Sequence, residues 1–222
     1  MGKIKIAVLI SGGGTNLQAI IDAIKARKIN GEIKLVISDQ EDAYGLERAK
    51  RENIDTLTVL KSDFLTRREW NQEILARLQS YCIDLVLLAG FMSILNEEVV
   101  KAFSNAIMNI HPALIPSFCG KGYYGKRVHQ AVLDYGAKVT GVTVHFVDEG
   151  ADTGPIILQE AVEVKQEDSV DSLAQRVLEI EHKLYPRAVQ FFAEGKLKVE
   201  GRRVLILAQG DVAQGDGSCV SF

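Results

Sequence analysis

A chain of 222 residues, 47% apolar and 25% charged, is long enough to bury one sizeable core. Its 26 basic and 29 acidic side chains, net −3, are spread along the sequence and form no basic stripe, so no nucleic-acid partner is expected. No apolar run reaches the roughly 20 residues of a membrane span, the start lacks the longer apolar region of a signal peptide, and Cys82, Cys119 and Cys219 have neither paired nor metal-type spacing, so the expectation is a cytoplasmic protein with free thiols.

Ile4–Ile10 is a continuous apolar run, as in a strand covered on both faces. Leu17, Ile20, Ile21 and Ile24 give helical spacing over Asn16–Lys28. Lys34–Ser38 reads as a strand, Tyr44–Glu52 as a helix and Thr56–Leu60 as a strand. Thr66–Ser80 is helical, with Thr66 and Glu69 spaced for a capping box. Ile83–Ala89 is the most apolar run and reads as a central strand, followed by a helix over Glu97–Ala102 and a strand over Ala106–Ile110. A loop over 111–125 is rich in Pro, Gly and Tyr. Then come a helix over Val128–Tyr135, strands over Lys138–Val147 and Gly154–Val164, and a long helix over Asp168–Phe192 capped by Asp168 or Ser169. Lys196–Glu200 and Arg203–Leu207 form a hairpin pattern. The expected architecture is α/β: a doubly wound, mainly parallel Rossmann-like sheet with antiparallel C-terminal strands and a long C-terminal helix. It occupies one domain over residues 1–207, with a mobile tail over 208–222.

Three stretches carry polar chemistry in places a bare fold does not require. The turn Ser11-Gly12-Gly13-Gly14-Thr15 joins the first strand to the first helix, where free backbone N–H groups and the helix dipole favour an anion. It is neither a dinucleotide fingerprint, since residue 17 is Leu, nor a P-loop, since 17–19 are Leu-Gln-Ala. In "AIMNIHP", strand alternation puts Asn109 and His111 on one face at the carboxyl end of a strand, where open α/β sheets bind ligands. An amide and an imidazole there can donate to a developing oxyanion. The loop "HFVDEGADTGPI" carries Asp148, Glu149 and Asp152, with Gly150 and Gly154 expected to lend mobility. A carboxylate beside His111 should raise the imidazole pKa. His145 could line the same crevice, whereas four scattered histidines make a zinc site, or any metal, unexpected.

Taken together, "SGGGTNLQAIIDA", "LAGFMSIL", "NIHPALIPSF", "HFVDEGADTGPIILQ" and "RVLEIEHKLYPRAV" resemble the phosphoribosylglycinamide formyltransferases, folate-dependent enzymes of purine synthesis, over about residues 4–200. The resemblance implies transfer of the formyl group of 10-formyltetrahydrofolate to the glycyl amine of 5′-phosphoribosylglycinamide. It implies catalytic roles for Asn109, His111 and Asp152, with Asp152 holding His111 charged. It implies phosphate and ribose contacts from Gly14, Thr15, Asn16 and Glu181. It implies a folate site from Arg67, Met92, Ser93, Ile94 and Leu95, with Asn109, Asp148 and Asp152 bordering it. The enzyme would use no metal and act as a monomer or homodimer. Two departures stand out: Ser93 occupies a position where many members have Arg, and the loop "SFCGKGYYGKRVHQ" is longer than in the commonest members. Two formyl-group relatives fit less well. A methionyl-tRNA formyltransferase would need a further C-terminal domain, and a formyltetrahydrofolate hydrolase an extra N-terminal one. A Rossmann-type nucleotide-binding module would use Asp39 at the end of the second strand, but lacks the third glycine.

Overall fold

The structure, a computed structural model, describes residues 2–208. Residues 209–222, which hold Cys219 and nearly all of the expected tail, lie outside the described residues. In chain order the elements are β1 (Ile4–Ile10), α1 (Thr15–Lys25), β2 (Gly31–Ser38), α2 (Tyr44–Arg51), β3 (Asp55–Thr58), α3 (Arg67–Ser80), β4 (Leu85–Leu88), α4 (Glu97–Ala102), β5 (Ile107–His111), α5 (Lys126–Tyr135), β6 (Val139–Phe146), β7 (Ile156–Glu163), α6 (Val170–Ala193), β8 (Leu197–Glu200) and β9 (Arg203–Ile206). A short 3-10 turn at Lys61–Asp63, absent from the sequence reading, leads from β3 towards α3.

One sheet of nine strands has the order β3-β2-β1-β4-β5-β6-β7-β9-β8. β3 to β5 are parallel neighbours, and β5, β6 and β7 are antiparallel. The chain lays down β2 and β3 on one side of β1, then crosses to β4 on the other. This reversal leaves a crevice at the carboxyl ends of β1 and β4. Alternation along β1 fills both layers: Ile6, Val8 and Ile10 pack with α1, α2, α5 and α6, while Ala7 and Leu9 pack with α3 and α4. α3 starts at the expected capping box, Thr66 accepting from the Glu69 N–H. At α6 the cap is Ser169, whose hydroxyl accepts from the Ser172 N–H. Asp168 instead pairs with Arg176 at 2.6 Å, which holds its carboxyl well below the usual carboxylate range.

α6 anchors the crevice from behind. The Tyr185 hydroxyl, fully buried, lies 3.1 Å from the Leu88 carbonyl and 2.9 Å from that of Met108, near the carboxyl ends of β4 and β5. Its single proton can go to only one of them at a time. No helix among the described residues is long and apolar enough to cross a membrane.

Candidate active site

The glycine turn sits at the carboxyl end of β1, and its three glycines differ in what they do. Gly14 has φ +67, and a Cβ there would lie 2.6 Å from Gly45 Cα at the start of α2, so only glycine fits. A Cβ on Gly12 or Gly13 would meet nothing within 4 Å. Those two leave open space above the first turn of α1, whose leading N–H groups have no intrahelical partner. The turn is braced from both sides. Ser11 Oγ accepts from the Met92 N–H at 2.8 Å, and Arg48 Nε donates to the Gly13 carbonyl at 2.8 Å.

Asn16 and Glu181, one from each end of the chain, meet beside this turn: Asn16 Nδ2 donates to Glu181 Oε2 at 2.6 Å. Both are buried, and Asn16 Oδ1 has no partner. Burial pushes the Glu181 carboxyl up to about 7, against the opposing hydrogen bond from Asn16. The Asn16 amide nitrogen is thus committed to Glu181, while its Oδ1 has no partner.

Asn109 and His111 share one face of β5, as alternation requires, and Asn109 pairs with Leu88, the last residue of β4. Across the sheet Asn109 faces His145 of β6. His145 Nδ1 lies 2.8 Å from the Phe146 carbonyl and so carries the proton. That leaves Nε2 to accept from Asn109 Nδ2 at 3.2 Å. The second Asn109 N–H reaches Asp152 Oδ1 at 3.3 Å. His111 Nε2 donates to the Phe118 carbonyl at 2.8 Å, and its Nδ1 lies 3.6 Å from Asp152 Oδ2. Asp152 Oδ2 also accepts from the Gly120 N–H at 2.9 Å. Nearby imidazoles and this N–H hold the Asp152 carboxyl below its ordinary value, although burial works the other way.

Two expectations are corrected here. The His111 pKa is lowered, not raised: burial outweighs the favourable charge of Asp152 and the Phe118 carbonyl. The resting imidazole is therefore neutral near pH 7. Second, Gly150 and Gly154 serve close packing rather than mobility. A Cβ on Gly154 would lie 1.8 Å from the Phe146 carbonyl oxygen, and one on Gly150 2.0 Å from Thr153 Oγ1. The Phe146 N–H also donates to the Pro155 carbonyl at 2.9 Å, closing the base of the loop. Asp148 works within the loop, accepting from the Gly150 N–H at 3.1 Å and the Thr153 hydroxyl at 2.5 Å. Since β6 runs antiparallel, its carboxyl end lies away from His111, and the closed loop folds back to bring Asp152 (φ +57) to the imidazole.

The segment after β4 alternates too. Met92 and Ile94 are half exposed, while Ser93 and Leu95 are buried. Arg67 Nη2 donates to the Ile94 carbonyl at 2.7 Å and fixes this segment. The Ser93 hydroxyl turns inward to Asp39. That contact occupies the acid a nucleotide-binding module would need, and keeps the Ser93 side chain buried. The longer loop reaches the same place, since a Cβ on Gly125 would lie 3.8 Å from Met92 Cε. Phe118, whose ring meets Tyr123 and Tyr135 edge-on, and Gly120 were missed by the sequence reading. Both act through backbone atoms, which leave no residue-type signature.

An amide, two imidazoles and a carboxylate thus gather at β5 and β6, one strand over from the switch point between β1 and β4. The family model described as Formyl transferase matches residues 4–189, and the chain belongs to this family. Among its relatives, the phosphoribosylglycinamide formyltransferase of Escherichia coli is 43% identical over 194 residues, 87% of this chain and 89% of that protein. The human trifunctional purine biosynthetic protein adenosine-3 is 43% identical over 197 residues, 89% of this chain but 19% of that protein. The crystal structure of glycinamide ribonucleotide transformylase 1 from Symbiobacterium toebii superposes with a TM-score of 0.89 at 48% identity, covering 93% of this chain and 95% of that one.

Proposed function

We propose that the chain is a phosphoribosylglycinamide formyltransferase of purine synthesis, moving a formyl group from 10-formyltetrahydrofolate to the glycyl amine of 5′-phosphoribosylglycinamide. The carrying observation is the contact of Asp152 with both Asn109 and His111, one crevice away from an open glycine turn. The ribonucleotide phosphate rests on the backbone of Gly14, Thr15 and Asn16, and Glu181 takes the ribose. The pterin-bearing substrate lies along Met92–Leu95, where two half-exposed apolar side chains offer a surface for an aromatic ring.

The amine nitrogen bonds to the formyl carbon, and the carbonyl π pair moves onto oxygen. Asn109 Nδ2 donates to that oxyanion, and the His111 ring adds its positive charge once Nδ1 has been protonated. The long Asn109–Asp152 contact is the one the oxyanion replaces. Neutral His111 takes up the proton the amine must shed, and Asp152 stabilises the imidazolium so formed. The intermediate collapses, the C–N10 bond breaks, and N10 leaves as tetrahydrofolate with the proton that His111 gives back, which restores the neutral ring. A low resting pKa suits this sequence, because the positive ring is wanted only once negative charge develops beside it. The test is direct: purified protein should convert phosphoribosylglycinamide to its formyl derivative with stoichiometric tetrahydrofolate. Release of free formate with the ribonucleotide unchanged would overturn the assignment in favour of hydrolysis.

A further inference from the structure

A groove of 750 Å³ between α1 and α6 runs away from the glycine turn, sharing with it Thr15 at one end, and the rest of its lining is not used by the reaction above. Thr15, Gln18 and Asp22 line one wall, and His182, Pro186 and Gln190 the other. Its charge is one-sided. Lys28, Arg48, Lys183 and Arg187 face it against the single carboxylate of Asp22. Among the described residues none of these four cations is in a salt bridge, and they gather around one depression. Asp22 accepts from Gln18 Nε2 at 3.0 Å. Arg48 meets only neutral acceptors, the Gly13 carbonyl and Gln18 Oε1. Unneutralised like charges around one depression focus a positive potential that an anion relieves.

A second observation points the same way. His182 Nε2 is buried without a hydrogen-bond partner, although a buried ring nitrogen ordinarily has one. Burial lowers the His182 pKa, Arg48 lowers it further and Asp22 opposes them. Pro186, inside α6, has no N–H for the His182 carbonyl, so the helix ladder is interrupted at the groove wall.

We propose that this groove binds a small phosphate-bearing anion at a site separate from the glycine turn, with Lys28 and Arg48 on one side, Lys183 and Arg187 on the other, and the His182 ring as a hydrogen-bonding partner. Arg48 links the two places. An anion that draws its guanidinium into the groove competes with the Gly13 carbonyl, so occupancy of the groove and of the turn are coupled, and the coupling is reciprocal.

Amide shifts of isotope-labelled protein, titrated with sodium pyrophosphate at constant ionic strength, test this. The expected result is saturable 1:1 shifts at Asp22, Lys183 and Arg187, with the His182 ring titrating at higher pH once the anion is bound. The double variant Lys183→Glu/Arg187→Glu should weaken groove binding at least tenfold and leave the shifts at Gly12–Gly14 in place. Lys28→Glu, at an exposed turn position, serves as an independent variant and should weaken it severalfold. A nucleoside triphosphate used in place of pyrophosphate should bind at the same residues. Tighter binding would extend the site to the nucleoside, and equal binding would confine it to phosphate. Shifts at Gly12–Gly14 with none at Asp22, Lys183 and Arg187, a linear response without saturation, or groove shifts unchanged in both variants would overturn the proposal. Because the readout is binding, it stands apart from the formyl-transfer assay.

Discussion

Replacing Gly154 by alanine tests whether the base of the Asp152 loop sets the reacting geometry. The added methyl would lie 1.8 Å from the Phe146 carbonyl oxygen and 3.2 Å from the Asp148 nitrogen. Both are backbone atoms, so no side chain can rotate away. The loop base must open by about 1.2 Å to restore a 3.0 Å contact. Asp152, two residues upstream, holds its partners by contacts of 3.3 Å to Asn109 and 3.6 Å to His111, which a displacement of that size breaks. A misplacement of about 1 Å commonly costs about a hundredfold in rate. The strain itself should cost roughly 1–3 kcal/mol, or about 2–4 °C in Tm for each kcal/mol. The assay is steady-state formyl transfer beside thermal melting, with Gly150→Ala as the control. There the clash is with the Thr153 side chain, which can turn aside, so kcat should fall by less than about tenfold. A folded Gly154→Ala protein with wild-type kcat would refute the reasoning, because Asp152 would then be placed by something other than this base.

Further predictions follow from single contacts. Asp152→Asn should lower kcat by about 10²–10⁴-fold with the ribonucleotide KM nearly unchanged, and should lower the His111 pKa read by NMR, since the charge that raises it is gone. Asn16→Ala removes the donor to Glu181, so the ribonucleotide KM should rise and the carboxyl should titrate above about 7. Glu181, raised from 4.5 to about 7, binds a proton in the folded state that the unfolded chain has lost. Its contribution is therefore present below pH 4.5 and lost as pH rises to about 7, a decline on the order of 3 kcal/mol that melting curves of Glu181→Gln should lack. Tyr185→Phe removes the hydroxyl shared by the Leu88 and Met108 carbonyls and should cost about 1–3 kcal/mol in denaturant unfolding.

Much of this was legible in the chain because it rests on residue type and period. Alternation placed Asn109 with His111, and the Thr66–Glu69 spacing gave the α3 cap, because those signals are local. The glycine turn was legible as a place, but the division of labour within it was not. Gly14 is required by Gly45, which lies in another helix. Ser93 read as a changed folate contact, and only packing reveals its bond to Asp39. The direction of the His111 shift could not be read either, since a nearby acid and deep burial oppose each other and only coordinates say how deep the ring lies. Phe118 and Gly120 contribute a carbonyl and an N–H that every residue possesses.

The Asn16–Glu181 bond has a consequence for how the protein is made. Its partners are 165 residues apart, so at a synthesis rate of about 5–20 residues per second Asn16 waits on the order of ten seconds or more for Glu181 to be translated. Until α6 docks, the amide of α1 lacks its carboxyl partner and the Leu88 and Met108 carbonyls lack Tyr185. A nascent chain stopped before α6 would therefore hold the glycine turn and the Asn109-His111 pair without the helix that closes the site.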